Sequence, residues 1–319
     1  MPLEQKIKVW YNKRYNKFII IYIEEYRFMK VYEQDNTVIL EDIKDFNPKH
    51  IFECGQCFRW IKEDDESYTG VAKGRVINVS KQGDKVFLKN TNLDDFNNIW
   101  FEYFDLGTDY GKIKDILRNM DEHLEKATEF GEGIRILKQD GWEMLISFII
   151  SSNNRIPMIQ KAINNLSREF GTYIGEYNGK EYYAFPTPEQ LSKASQEQIR
   201  ACQTGFRDKY IKSTTDSVIL NNKNISEYTK LNTEECLKEL LKFNGVGPKV
   251  GDCIALFGMQ KYDTFPVDVW VKRVMQEFYV EEDLSLPKIR AYAIDKFKEL
   301  SGFAQQYLFY YARELGIGR

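Results

Sequence analysis

The chain has 319 residues, 43% hydrophobic and 29% charged, with a formal net charge of −3. At about 150 residues per domain, this length predicts two domains and a sizeable core. The composition excludes collagen, a coiled coil and a disordered charged tail. No apolar run approaches the roughly 20 residues of a membrane span. Phe18 to Ile23 is far shorter and lacks a small-residue cleavage site, so no secretory signal is expected. No global basic field is present. A nucleic-acid partner would have to be held by a local patch or by backbone amides.

Residues 1–28 are rich in Lys, Tyr and Ile and run up to Met29-Lys30. We read them as lying ahead of a natural start at Met29, or as a loosely attached extension without an assigned role. From about residue 30 to 95 the pattern is β. Apolar and polar residues alternate in Phe58-Arg59-Trp60-Ile61, Val76-Ile77-Asn78-Val79 and Val86-Phe87-Leu88, with turns at Lys73-Gly74 and Gln82-Gly83-Asp84. Beyond about 95 the period becomes helical. Leu145, Phe148 and Ile149 share one helix face. Pro157 fits the first turn of a helix opening after Asn153-Asn154. Thr187-Pro188 opens another helix, and Ser195 to Gln198 fits a capping box. The fold class is α+β, with a β-rich domain over 29–125 and a helical domain over 126–319.

Five cysteines, Cys54, Cys57, Cys202, Cys236 and Cys253, are odd in number and scattered. They point to a reducing compartment, with cytoplasmic localisation expected. Cys54-Gly55-Gln56-Cys57 has no second pair to complete a zinc site, so its cysteines read as incidental small residues. Histidines are few.

The chemistry concentrates between Leu241 and Val274. Phe243-Asn244-Gly245-Val246-Gly247-Pro248-Lys249-Val250 is a glycine turn followed by a proline that opens a helix. Val250, Cys253, Ile254 and Phe257 continue it at helical spacing. The whole reads as helix, tight turn, helix over 237–258. Amides at a helix start bind phosphate without any basic side chain. Lys249 sits in that first turn, where the positive helix end disfavours its ammonium form. A desolvated Lys of lowered pKa is a Schiff-base nucleophile. Phe265-Pro266-Val267-Asp268-Val269-Trp270 supplies a carboxylate that could stabilise positive charge developing at a sugar carbon.

Asn244 to Lys249 followed by Val267-Asp268 resembles the helix-hairpin-helix DNA glycosylases, with Lys marking their Schiff-base-forming branch. Three further segments resemble the 8-oxoguanine DNA glycosylases within them: Gly55-Gln56-Cys57-Phe58-Arg59-Trp60, Ser151-Ser152-Asn153-Asn154, and Ala304-Gln305-Gln306-Tyr307-Leu308-Phe309. The resemblance implies a bifunctional enzyme that flips out 8-oxoguanine, excises it and nicks the abasic strand. It implies Lys249 as nucleophile and Asp268 as supporting carboxylate. Gly55 would offer its carbonyl to the N7–H that 8-oxoguanine has and guanine lacks. Gln305 would read the Watson–Crick edge, Cys253 and Phe309 would sandwich the base, and Pro266 would complete the pocket. Asn153 would fill the gap in the duplex. Asn154, Met158, Arg207, Gly245, Gly247, Val250 and Trp270 would meet DNA.

The departures also carry expectations. Asn244 replaces a common hairpin proline, and Trp270 stands where many relatives have His. Met158 stands where eukaryotic relatives carry an Arg that reads the orphaned cytosine, although Arg207 matches the family's other cytosine-contacting Arg. Met donates no hydrogen bond to a cytosine edge, so weak opposite-base preference is expected. No cysteine follows Cys253, so an iron–sulfur cluster is not expected, and the Lys chemistry calls for no cofactor. The expected partner is double-stranded DNA containing 8-oxoguanine, with the protein acting as a monomer. It would be nucleoid-associated in a bacterium and nuclear in a eukaryote. Two alternatives stay open: a non-catalytic helix-hairpin-helix DNA-binding protein, and a glycosylase for a different base such as an alkylated one.

Overall fold

A computed structural model describes residues 6–12, 17–24 and 27–317, with side chains from Met29 onward. An antiparallel sheet comes first. Its strands are β1 (Lys6–Asn12), β2 (Lys17–Glu24), β3 (Arg27–Gln34), β4 (Thr37–Glu41), β5 (Trp60–Lys62), β6 (Tyr68–Ala72), β7 (Arg75–Gln82) and β8 (Lys85–Lys89). They lie in the order β1-β2-β3-β4-β8-β7-β6-β5. The expectation of a loose extension over residues 1–28 falls partly on residues outside the described set. Within the set, the backbone there runs as two strands of the sheet.

The turns form where the sequence places them. Lys73 and Gly74 both take positive φ, 50° and 70°, as a two-residue hairpin between β6 and β7 requires. The segment Phe58-Arg59-Trp60-Ile61 is strand only from Trp60. Phe58 packs edge-on against Phe148 in the helical part, with ring centroids 5.4 Å apart. The sheet instead gains a short helix, α1 (Pro48–Phe52), capped by Asn47 and started by a proline. Phe52 stacks on Trp60 with centroids 3.9 Å apart, sealing the sheet core.

The helical part contains α2 (Tyr110–Arg118), α3 (Glu122–Phe130), α4 (Gly141–Ser151) and α5 (Ile156–Phe170). After a small hairpin of β9 (Tyr173–Tyr177) and β10 (Lys180–Tyr183) come α6 (Asp208–Leu220), α7 (Thr233–Leu240), α8 (Pro248–Met259), α9 (Val269–Phe278), α10 (Leu286–Phe297) and α11 (Ser301–Leu315). The boundary expected at 125/126 falls inside α3. The expected capping box at Ser195 is formed, and the helix opened by Thr187-Pro188 carries a second one at Thr187. α4 is buried along nearly its whole length. It packs against α8, with Phe148 stacked on Phe257 at 5.6 Å. Among the described residues no helix is long and apolar enough to cross a membrane.

One amide joins the two parts. Gln56 is fully buried. Its Nε2 donates to the Arg135 carbonyl at 2.7 Å and to the Ile51 carbonyl at 2.9 Å, and its Oε1 accepts from the Leu137 N–H at 2.8 Å. Its own carbonyl accepts from Gln139 Nε2 at 2.8 Å. A buried group left unpaired costs about 1–3 kcal/mol. Gln56→Leu orphans the Arg135 carbonyl and the Leu137 N–H. We predict a loss of roughly 2–5 kcal/mol in urea unfolding.

Candidate active site

A cavity of about 160 Å³ opens where α8, the start of α9, α11 and the loop after α1 converge. Lys249, Cys253, Pro266, Asp268, Gln305, Phe309, Gly55 and Asn154 all line it. Residues from four separate sequence motifs thus share one wall-to-wall space.

The glycine hairpin sets the position of Lys249. Gly245 has φ +87°, and a Cβ there would sit 2.9 Å from the Tyr210 ring, so glycine is required on both conformational and steric grounds. Gly247 caps α8 with no side-chain hydrogen bond, and a Cβ there would meet nothing. Pro248 follows in the first turn, so the early amides of α8 remain unpaired, as at any uncapped helix start. Val250 is buried and can offer only its main chain outward. The helix is braced from behind. Asp252 is buried and takes a bidentate bond from Arg290 of α10, at 2.5 and 2.7 Å.

The electrostatics of Lys249 run against the expectation of a lowered pKa. Its ammonium is held above the ordinary lysine value by Cys253 first and Asp268 next, while burial pulls the other way. The helix-end argument overlooked these neighbours, one turn and one loop away. Burial pushes the Cys253 thiol up to about 11, so it is neutral at physiological pH. The carboxylate beside Lys249 is that of Asp268. That carboxylate is held in turn as the N-cap of α9, its Oδ1 accepting from the Val271 N–H at 2.8 Å.

The remaining walls are apolar or amide. Trp270 packs edge-on against Phe309, with ring centroids 4.9 Å apart at 90°. It fixes that ring and does not itself line the cavity. Gln305 is buried, and its side-chain oxygen has no hydrogen-bond partner among the described residues. An orphaned buried acceptor is costly unless something supplies a donor. Gly55 has φ +87°, with the Phe309 ring 3.3 Å from where its Cβ would lie.

The other predicted residues lie along the rim. Asn153 is exposed at positive φ, 49°, on the turn between α4 and α5. Met158 is exposed on the first turns of α5. Arg207 is buried, and its guanidinium donates to the carbonyls of Ser152 and Asn153. It braces the turn that carries Asn153. The sequence reading missed Phe58, Phe148 and Phe257, which also line the cavity. Their spacing marks them only as core, and no local signal separates a core phenylalanine from a pocket wall.

Comparison with known proteins agrees with this geometry. Residues 38–145 match the family model for the 8-oxoguanine DNA glycosylase N-terminal domain, and 146–299 match the HhH-GPD superfamily base excision DNA repair protein. An N-glycosylase/DNA lyase from Saccharomyces cerevisiae is 32% identical over 72% of this chain and 67% of its own length. The N-glycosylase/DNA lyase OGG1 of Arabidopsis thaliana is 30% identical over 81% of this chain and 75% of its own. The chain belongs to the 8-oxoguanine DNA glycosylase family. The crystal structure of a Clostridium acetobutylicum 8-oxoguanine glycosylase/lyase, in complex with duplex DNA carrying cytosine opposite the lesion, superposes with a TM-score of 0.87. It is 52% identical, and the match covers 90% of this chain and 98% of that one. The 8-oxoguanine glycosylase fold thus accounts for both parts of the chain, sheet and helices.

A lysine held as ammonium reacts slowly at neutral pH. We predict that reductive methylation of Lys249, followed by mass spectrometry, lags behind surface lysines at pH 8 and rises with pH. Asp268→Asn removes the carboxylate that favours the ammonium and shifts that rise to lower pH.

Proposed function

We propose that the chain excises 8-oxoguanine from duplex DNA through a Schiff base on Lys249 and cleaves the abasic strand by β-elimination. The carrying observation is that Lys249 and Asp268 share a cavity with the orphaned Gln305 oxygen and the Phe309 ring. Chemistry at C1′ requires the base to leave the stack, at a cost of a few kcal/mol. A closed pocket of amide and aromatic walls offsets that cost. In this reading the extruded base lies between Cys253 and Phe309, beside Pro266. Gln305 pairs with its Watson–Crick edge, and the Gly55 carbonyl accepts from N7–H.

The chemical steps follow from what surrounds Lys249. After losing a proton, its amine attacks C1′, and the electron pair of the glycosidic bond leaves with the base. Asp268 supports the positive charge that develops on the sugar. The ring opens to an imine between Nζ and C1′. That imine acidifies the C2′ proton, whose loss breaks the C3′–oxygen bond and cuts the strand. Water then returns the free lysine. The amides of Gly247, Lys249 and Val250 hold the backbone, Asn153 occupies the vacated place in the duplex, and the protein acts as a monomer. A non-catalytic DNA binder would need the Gly245–Gly247 turn but none of Lys249, Asp268 or Gln305.

Borohydride trapping on a duplex with one 8-oxoguanine tests the reading. A covalent adduct is expected with the wild type and none with Lys249→Gln. Intact DNA binding without a wild-type adduct would show a binder or a monofunctional enzyme. The exposed Met158, on the helix that follows Asn153, gives a second expectation: comparable excision rates opposite C and opposite A, measured in single turnover. Strict dependence on C would overturn it.

A further inference from the structure

We propose that Gln306 and Arg313, both on α11, are positioning residues that aim the Gly55 carbonyl and so set the enzyme's selectivity for the lesion over guanine. The inference rests on the reading above in which Gly55 recognises N7–H.

The loop from Glu53 to Gln56 is tied down carbonyl by carbonyl. The Glu53 carbonyl accepts from Arg313 Nη2. The Cys54 carbonyl accepts from Gln306 Nε2 at 2.7 Å, in a fully buried bond. The Gln56 carbonyl accepts from Gln139 at 2.8 Å. The Gly55 carbonyl lies between these and accepts nothing among the described residues. Holding the Cys54 carbonyl fixes the plane of the peptide that enters Gly55. Holding Gln56 fixes the residue that follows. A glycine at φ +87° has no side chain to restrict it, so its neighbours must do so.

The same helix builds the other walls. Gln305 and Gln306 are adjacent, and successive helical residues point about 100° apart. Gln305 leaves its oxygen unpartnered in the cavity, while Gln306 reaches across to the loop. Two turns on, the Arg313 guanidinium lies over the Phe309 ring, 5.6 Å from its centroid. A Cβ on Gly55 would also sit 3.8 Å from Arg313 Nη1. Arg313 therefore touches both the loop and the ring. Selectivity needs this fixity. A hydrogen bond weakens steeply as its angle falls. The same carbonyl must attract the N7–H of the lesion and face the bare N7 lone pair of guanine. A carbonyl free to turn away would lose the attraction and relieve the repulsion.

The test uses three readouts on one preparation. They are single-turnover excision of 8-oxoguanine, the affinity ratio between lesion and guanine duplexes, and cleavage of a duplex with a preformed abasic site. The last needs Lys249 but no base contact, so it reports folding, DNA binding and nucleophile together. Gln306→Met keeps the length and removes the donor. We expect excision and the affinity ratio to fall about tenfold, the size of one misdirected buried hydrogen bond. Abasic cleavage should stay within about twofold. Arg313→Lys keeps a donor for Glu53 and should fall less than Arg313→Met. If excision and abasic cleavage fall together, the residues are merely structural and the inference is overturned. An unchanged affinity ratio overturns it as well. Gly55→Ala separates the two levels. If it spares abasic cleavage and leaves the ratio unchanged, the reading of Gly55 fails. If it lowers the ratio while Gln306→Met does not, only the positioning inference fails.

Discussion

The buried amide of Gln56 is the constraint on which the rest of the site depends. The cavity needs walls from the loop after α1 and from α8, α9 and α11. Those pieces belong to different parts of the chain, and nothing covalent holds them at the right spacing. A fully buried glutamine ties that loop to the 135–139 segment leading into α4, which packs on α8, and an unpaired amide there is costly. Arg135 extends the join, donating to the Asp45 and Asp105 carbonyls at 2.7 and 2.6 Å. The sheet's role is thus one of delivery: it brings a single strained glycine to a helical enzyme.

The helical part solves a different problem, which is to keep a reactive amine inside a pocket without making it permanently reactive. The neighbouring Asp268 favours the ammonium, and burial disfavours it. Both influences act on one proton inside a confined cavity. A bound base would displace solvent and alter how Asp268 is screened. Whatever fills the cavity meets Lys249 and Asp268 together.

Much of this was legible in the sequence, for reasons that differ by residue. The hairpin was readable because Gly245, Gly247 and Pro248 have backbone requirements that few other patterns meet. Asp268 and Gln305 were readable only through the family's motifs, since a lone carboxylate or amide marks nothing. The proton balance at Lys249 was misread. Helix-end electrostatics can be inferred from order along the chain, but Cys253 and Asp268 act through space. Gln306 and Arg313 were invisible for the same reason. Their partners, Cys54 and Glu53, lie at the far end of the sequence, and no local pattern announces a bond across that separation.

Arg207 shows a further economy. Its Nε and Nη2 grip the carbonyls of Ser152 and Asn153, so a single side chain just ahead of α6 holds the turn that carries Asn153. Any acceptor that draws Nε or Nη2 away must first release those carbonyls. The turn would then loosen. Rigidity of this turn and any other use of those N–H donors compete for a single side chain, and the molecule cannot have both in full at the same moment.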